Sequence, residues 1–320
     1  MSRIFPDRFV LLLIATLALA WMLPLDGAAL KVAQGVIYVG IFLLFFLHGL
    51  RLPRGEVVKA ARGLRLQGAM LSFCYIAMPL AGWCIAQLAA TALPEALWAG
   101  IIYLAVLPST VQSAISYTAM GGGNVAASVV GAALSNLAGI VLTPLLVAIF
   151  IGANGIGFDA SVIIKIASLL LLPFALGQTA RRLLGDWASK QKAMLSLFDR
   201  GVILLAVFIA FSGAVSSGAL ARLEWPVIIA LMLAIFLLLT IAFGGAMLLG
   251  GILKLPRGDR ISLIFAGAHK SIATGAPMAA ILFGADAGLV ILPAILYHMA
   301  QLIVSAPVAV RLQKSAANRR

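Results

Sequence analysis

A lysine at position 270 stands inside an otherwise apolar run, in Ala266-Gly-Ala-His-Lys-Ser271, with Gly275 and Pro277 close behind it. An ammonium at mid-depth in a membrane span costs about 2.5–3.5 kcal/mol on insertion scales. Lys270 is too far from either end of its run to reach water by snorkelling. It therefore predicts a water-filled or polar surrounding, or else a lock between two helices through backbone carbonyls. The ten acidic residues (Asp7, Asp26, Glu56, Glu95, Asp159, Asp186, Asp199, Glu224, Asp259 and Asp286) fall at segment ends or in loops. A site with one ammonium and no carboxylate favours an anionic or strongly polar ligand. It argues against a proton pump built on buried Asp or Glu.

A second polar interruption, Leu107-Pro-Ser-Thr-Val-Gln-Ser113, precedes it by about half the length of the chain, counted from Pro108 to Lys270. Ser109, Thr110, Gln112, Ser113 and Ser116 decorate this break. Ser128, Ser135 and Asn136 follow on the next run. Ser271 adjoins Lys270, and His298 and Gln301 stand about one turn apart on one face. Serine and threonine in membrane helices often bond to their own backbone. The amides Gln112, Asn136 and Gln301 leave two readings open, lining a site or tying helix to helix. His269, neutral beside a cation, could accept a hydrogen bond or shuttle a proton. His48 reads as interfacial. Gly121-Gly-Gly-Asn124 is a tight turn without the Lys-Ser/Thr of a phosphate loop. The histidines and cysteines have no zinc spacing, and no nucleophile motif is present. Cys74 and Cys84 read as small packed side chains. No cofactor is expected, and no catalysis.

The elements that must position these residues are membrane spans. The chain is 63% hydrophobic and 10% charged, with a mean hydropathy of +1.13, far from the balance of a soluble domain. Runs of about 20 apolar residues cross a hydrocarbon core as helices. They do not alternate as barrel strands would. The sequence predicts ten: 9–25, 33–50, 66–91, 97–120, 124–151, 161–184, 196–216, 226–252, 259–284 and 287–311. The first ends in Trp21-Met-Leu-Pro-Leu-Asp26 without a small-residue cleavage site and is read as a retained span. The basic stretch from Pro53 to Arg65 is expected to lie along the interface.

The net charge of +13 comes from 23 lysines and arginines. Nineteen of them cluster at the amino terminus, after spans 2, 6 and 8, and at the carboxyl terminus. That parity is the positive-inside rule rather than a nucleic-acid surface. It predicts both termini in the cytoplasm and an even number of spans. The loop Gly152–Asp159 divides the chain into halves of five spans, 1–155 and 156–320. An odd number per half reverses the second in the membrane, which makes an inverted repeat. Matching interrupted spans, here 4 and 9, mark the binding site of such transporters.

Leu107-Pro-Ser-Thr-Val-Gln-Ser-Ala-Ile-Ser-Tyr-Thr-Ala-Met-Gly-Gly-Gly-Asn-Val-Ala126 resembles the bile acid:sodium symporter superfamily, in its SBF-like branch. So do Leu134-Ser-Asn-Leu-Ala-Gly-Ile-Val-Leu-Thr-Pro-Leu-Leu146, Phe265-Ala-Gly-Ala-His-Lys-Ser271 and Gly275-Ala-Pro-Met278. The resemblance implies a panel domain of spans 1, 2, 6 and 7 and a core domain of spans 3–5 and 8–10. It implies that spans 4 and 9 are unwound and cross near the midplane, and that transport is by alternating access. Ser113 and Ser128 fall near sodium-site positions. An acidic position reads Phe265, a Gln-Asn pair reads His269-Lys270, a threonine reads Ala132 and a glutamine reads Cys74. Sodium coupling is therefore expected to be lost or weakened, with Lys270 supplying the ion's charge.

The resulting expectation is a secondary transporter of a small organic anion in a bacterial inner membrane, with the lipid bilayer as its other partner. The alternative is a non-transporting regulator on the same fold. A channel would need a continuous polar stripe, and isolated polar residues around two breaks do not make one.

Overall fold

The computed structural model describes residues 8–51, 63–152 and 167–317. Most of the Pro53–Arg65 stretch, the Gly152–Asp159 loop beyond Gly152, and the start of the 161–184 span lie outside the described residues. Among the described residues every regular element is helical.

In chain order the helices are α1 (Arg8–Met22), α2 (Gly27–Arg51), α3 (Leu64–Leu88, with a π-helical turn at Phe73–Ala77), α4 (Glu95–Val106), α5 (Gln112–Met120) and α6 (Val125–Phe150). There follow α7 (Leu172–Lys190), α8 (Lys192–Ser216), α9 (Trp225–Ile252), α10 (Arg257–Ala268), α11 (Ile272–Phe283) and α12 (Ala287–Ala317). Six of the described stretches are long and apolar enough to cross a membrane. The stretch 257–315 is one of these, although a break divides it.

The helix starts recur at one interval, close to half the chain. Glu95 opens α4 and Arg257 opens α10, and each of these helices is 12 residues long. Each is preceded by a proline in extended backbone, Pro94 and Pro256, the residue type least able to continue a helix. Val125 and Ala287 open α6 and α12 with the same separation as Glu95 and Arg257.

The chain divides into two compact units. The first takes the described residues of 1–52, 158–224 and 276–291. In it α2 and α7 approach at two glycines. A side chain at Gly49 would strike the Phe174 carbonyl, and one at Gly177 would strike the Phe46 carbonyl. Small residues let membrane helices meet backbone to backbone. Gln178 Nε2 then donates to the Gly49 carbonyl at 2.7 Å, and Arg51 grips both oxygens of Asp199 at 2.7 and 2.8 Å.

The second unit takes the described residues of 53–157, 225–275 and 292–320. It contains both breaks. Its 121–124 turn docks on the start of α10. Asn124 N donates to the Gly258 carbonyl at 3.0 Å, and Asn124 Nδ2 donates to Asp259 at 2.8 Å. Gly122 has φ +71, and a Cβ at Gly123 would overlap Ile261. Backbone geometry and close packing thus account for these glycines.

Candidate functional site

The first break begins where α4 ends. Leu107 is extended, at φ −66 and ψ 149. The following Pro108 imposes this, because a proline ring disfavours helical backbone in the residue before it. Every helix ends with carbonyls that lack intrahelical partners, and here almost all of them can be traced. The Val106 carbonyl accepts from Thr143 Oγ1 at 2.9 Å. The Pro108 carbonyl accepts from the backbone N–H of Ser271 at 2.8 Å, a direct bond between the two breaks. The Ser109 carbonyl accepts from Asn136 Nδ2 at 2.8 Å. Ser109 N donates to Ser135 Oγ at 3.0 Å.

The remaining two carbonyls, those of Ala105 and Leu107, belong to Lys270. Its Nζ donates to them at 2.7 and 2.8 Å, and to the Cys74 carbonyl at 3.3 Å. Cys74 O is open because of the π-helical turn in α3. The Met78 N–H, which an ordinary helix would aim at Cys74, bonds Phe73 O instead. The next residue, Pro79, has no N–H to offer. Three N–H bonds of one ammonium therefore meet three carbonyls from α3 and α4. Lys270 is 1% exposed. Cys74 Sγ lies 3.5 Å from Nζ. Of the two surroundings left open by the sequence, the structure has the carbonyl lock.

The second break has no proline at its centre. His269 is extended, at φ −74 and ψ 139, and side chains hold the chain open. The Gln301 amide pairs with the Lys270 backbone as a neighbouring strand would. Oε1 accepts from Lys270 N at 2.8 Å, and Nε2 donates to Lys270 O at 3.1 Å. The Ala268 carbonyl accepts from Tyr297 Oη at 2.7 Å.

His269 ties the breaks together. Ser305 Oγ donates its proton to the Gln301 carbonyl at 2.6 Å, so it must accept from His269 Nε2 at 2.7 Å. Nδ1 is then the acceptor, with Ser113 Oγ at 3.0 Å and Thr110 Oγ1 at 3.2 Å. Those two hydroxyls are 2.6 Å apart. The ring is the neutral Nε2–H tautomer, packed edge-on against Phe265 and Tyr117.

The structure thus brings Ser109, Thr110, Ser113, Asn136, His269, Lys270, Ser271, His298 and Gln301 into one network. His298 Nδ1 lies 2.7 Å from Gln301 Nε2. Ser271 Oγ accepts from Thr274 N at 3.3 Å, and Thr274 Oγ1 donates to Asn136 Oδ1 at 2.7 Å. Two predicted residues stand apart. Gln112 is exposed at the start of α5. Ser128 Oγ accepts from Thr118 at 3.2 Å, nearer the 121–124 turn, and shares no partner with Ser113. The sequence reading passed over Tyr297, Ser305 and Thr143, whose hydroxyls supply donors and acceptors to the breaks. Their place on α6 and α12, the next helix but one after each break, was the available signal.

Comparison with known proteins gives the context. The sequence model of the SBF-like CPA transporter family matches residues 7–314. A Pseudomonas aeruginosa protein, "Uncharacterized protein PA2026", is 40% identical over 97% of this chain and 93% of its own. "Putative symporter YfeH" of Escherichia coli (strain K12) is 36% identical over 96% of this chain and 93% of its own. "Sodium/bile acid cotransporter 7" of Mus musculus is 29% identical over 87% and 83%.

Proposed function

This chain belongs to the SBF-like CPA transporter family, and we propose that it moves a small organic anion across a bacterial inner membrane by alternating access, without sodium coupling. The observation that carries this reading is Lys270. Among the described residues no carboxylate lies within ion-pair distance of its ammonium. A buried charge held only by neutral dipoles leaves its field uncancelled where the two broken helices meet. Such a field draws an anion and repels a cation.

The same geometry argues against sodium at this place. Three carbonyls here are already donated to by the ammonium, and a buried Phe265 ring occupies the position where the family resemblance implies a carboxylate. Lys270 is a tethered cation in the ion's position. The ten-span, 5+5 inverted repeat is supported by the common interval between helix starts. The division into two compact units supports the panel and core domains except at 276–291, parts of the expected spans 9 and 10 that group with spans 1, 2, 6 and 7. Cytoplasmic termini follow from the charge parity. The proposed substrate contacts are the accessible polar groups by the breaks, Gln112 foremost, while Lys270 supplies the field.

Thermal unfolding of the purified protein tests this reading. A ligand of the folded state stabilises by RT ln(1 + [L]/Kd). Sodium, potassium and choline chlorides at matched ionic strength are expected to give one Tm, and carboxylate or sulfonate anions to raise it. A sodium-specific rise in the wild type would refute the tethered-cation reading. Flux of no organic anion in proteoliposomes, with no Tm response to any, would point instead to a regulator on a transporter fold.

A further inference from the structure

Away from the network around Lys270, two arginine nitrogens in the first unit find no acceptor among the described residues. Arg51 directs Nη1 and Nη2 at Asp199, and its Nε–H is buried without an acceptor. Arg181 Nη1 is buried without an acceptor as well. Buried donors, above all cationic ones, almost always have an acceptor.

The two arginines belong to one helix crossing. Phe174, Gly177 and Gln178 meet α2 at Phe46, Gly49 and Leu50. Arg181 is the next residue along that face of α7, one turn further on. Arg51 is the last residue of α2, two past Gly49. Among the described residues the carboxylate beside Arg51 is Asp199, and Arg51 already takes both its oxygens. Two guanidiniums with unmatched N–H groups and one committed carboxylate leave this end of the crossing one anion short. That anion needs several acceptor oxygens to meet donors on two forks, which is the chemistry of a phosphate.

The surrounding surface specifies what carries the phosphate. Beyond Arg181, α7 and the start of α8 expose Arg182, Lys190 and Lys192 among large apolar groups. Leu183 is 87% exposed, Leu197 72%, and Trp187 is also open. Basic groups beside tryptophan and exposed leucines match the boundary between headgroups and acyl chains. A free inorganic phosphate has no use for the leucines.

We infer that Arg51 and Arg181 form a site for the phosphate of an anionic phospholipid in the cytoplasmic leaflet. Its acyl chains lie along the apolar side chains of α7 and α8. The leaflet assignment rests on the membrane orientation proposed above, whereas the site itself is independent of what the protein transports.

The full chain in nanodiscs tests this, with phosphatidylcholine alone or mixed with phosphatidylglycerol, by mass spectrometry of retained lipid and by Tm. Phosphatidylglycerol is expected to be retained preferentially and to raise Tm. Arg181→Gln is expected to weaken that retention about fivefold, the worth of one basic group at a charged leaflet. Arg181→Lys, which keeps the charge but loses the fork, should fall between, and it serves if the glutamine variant does not fold. Arg182→Gln, on the exposed side, should lose clearly less. Equal losses for Arg181→Gln and Arg182→Gln would reveal a diffuse basic surface and overturn the site. No loss for either Arg181 variant would do the same. Inorganic phosphate raising Tm as far as phosphatidylglycerol does would overturn the lipid assignment. Each of these outcomes leaves the transport reading standing.

Discussion

The two helix breaks occupy equivalent places in the two halves of the chain and are made by different means. At the first, Pro108 turns the chain out of the helix by the steric restriction it places on Leu107, and side chains of α6 then bond the opened backbone. At the second, Lys270 stands where Pro108 would, and the extended backbone is held by the Gln301 amide and the Tyr297 hydroxyl. The first break is written into covalent geometry, and its carbonyls need a donor. The second supplies that donor, but depends on its neighbours to stay open. The charge of the second break thus completes the first.

Removing the charge should break this relation most severely. Lys270→Met retains much of the volume and removes the ammonium that donates to the Ala105, Leu107 and Cys74 carbonyls, leaving Leu107 O only the weak Cys74 Sγ donor at 3.5 Å. At ~1 kcal/mol for each lost bond, the expected loss is about 3 kcal/mol. It would be read as a fall in Tm and in the midpoint of denaturant unfolding. An unchanged Tm would mean that the carbonyls do not need the ammonium.

Gln301→Leu tests the second break by itself. It removes both bonds to the Lys270 backbone, for an expected ~1–2 kcal/mol. Hydrogen exchange at Lys270 and Ser271 should accelerate, while exchange around Leu107 and Ser109, held by the proline, should change less. Equal acceleration at both breaks would erase the distinction between them.

The smallest expected effect separates lining from holding. Gln112→Ala removes an exposed side chain with no structural bond assigned to it, so stability should stay within about 0.5 kcal/mol. Uptake of a transported anion should nonetheless fall. A variant as active as the wild type would remove Gln112 from the substrate path.

The exceptional positions of this site could be read from its residues. A lysine in an apolar run, a proline at the matching place in the first half, and amides within spans are costly choices that show in the sequence. Some helix ends also followed, as with 226–252 against Trp225–Ile252, whereas α2 starts at Gly27 rather than 33 and α7 runs on to Lys190 past the expected 184. The residues raised a lock through backbone carbonyls but did not disclose which carbonyls accept the lysine's protons. The acceptors are backbone carbonyls, which every residue has and no residue type marks. The Cys74 carbonyl is free through a π-helical turn and the lack of an N–H on Pro79. Among the side chains there, the sequence draws the eye to the thiol instead. Asn136 and Gln301 raised an even choice between lining and tying. Their partners, Ser109 O and the Lys270 backbone, place both as supports of the breaks.

The lysine lock also sets an order of events during synthesis. Its partners lie 163, 165 and 196 residues earlier in the chain. At ~5–20 residues per second, α4 is made roughly 10–30 s before Lys270 leaves the ribosome. Through that interval the carbonyls of Ala105, Leu107 and Cys74 wait in a half-built core for a donor that does not yet exist. A nascent chain arrested before residue 270 should be a ready substrate for membrane quality control, and release from it should coincide with the arrival of a single side chain.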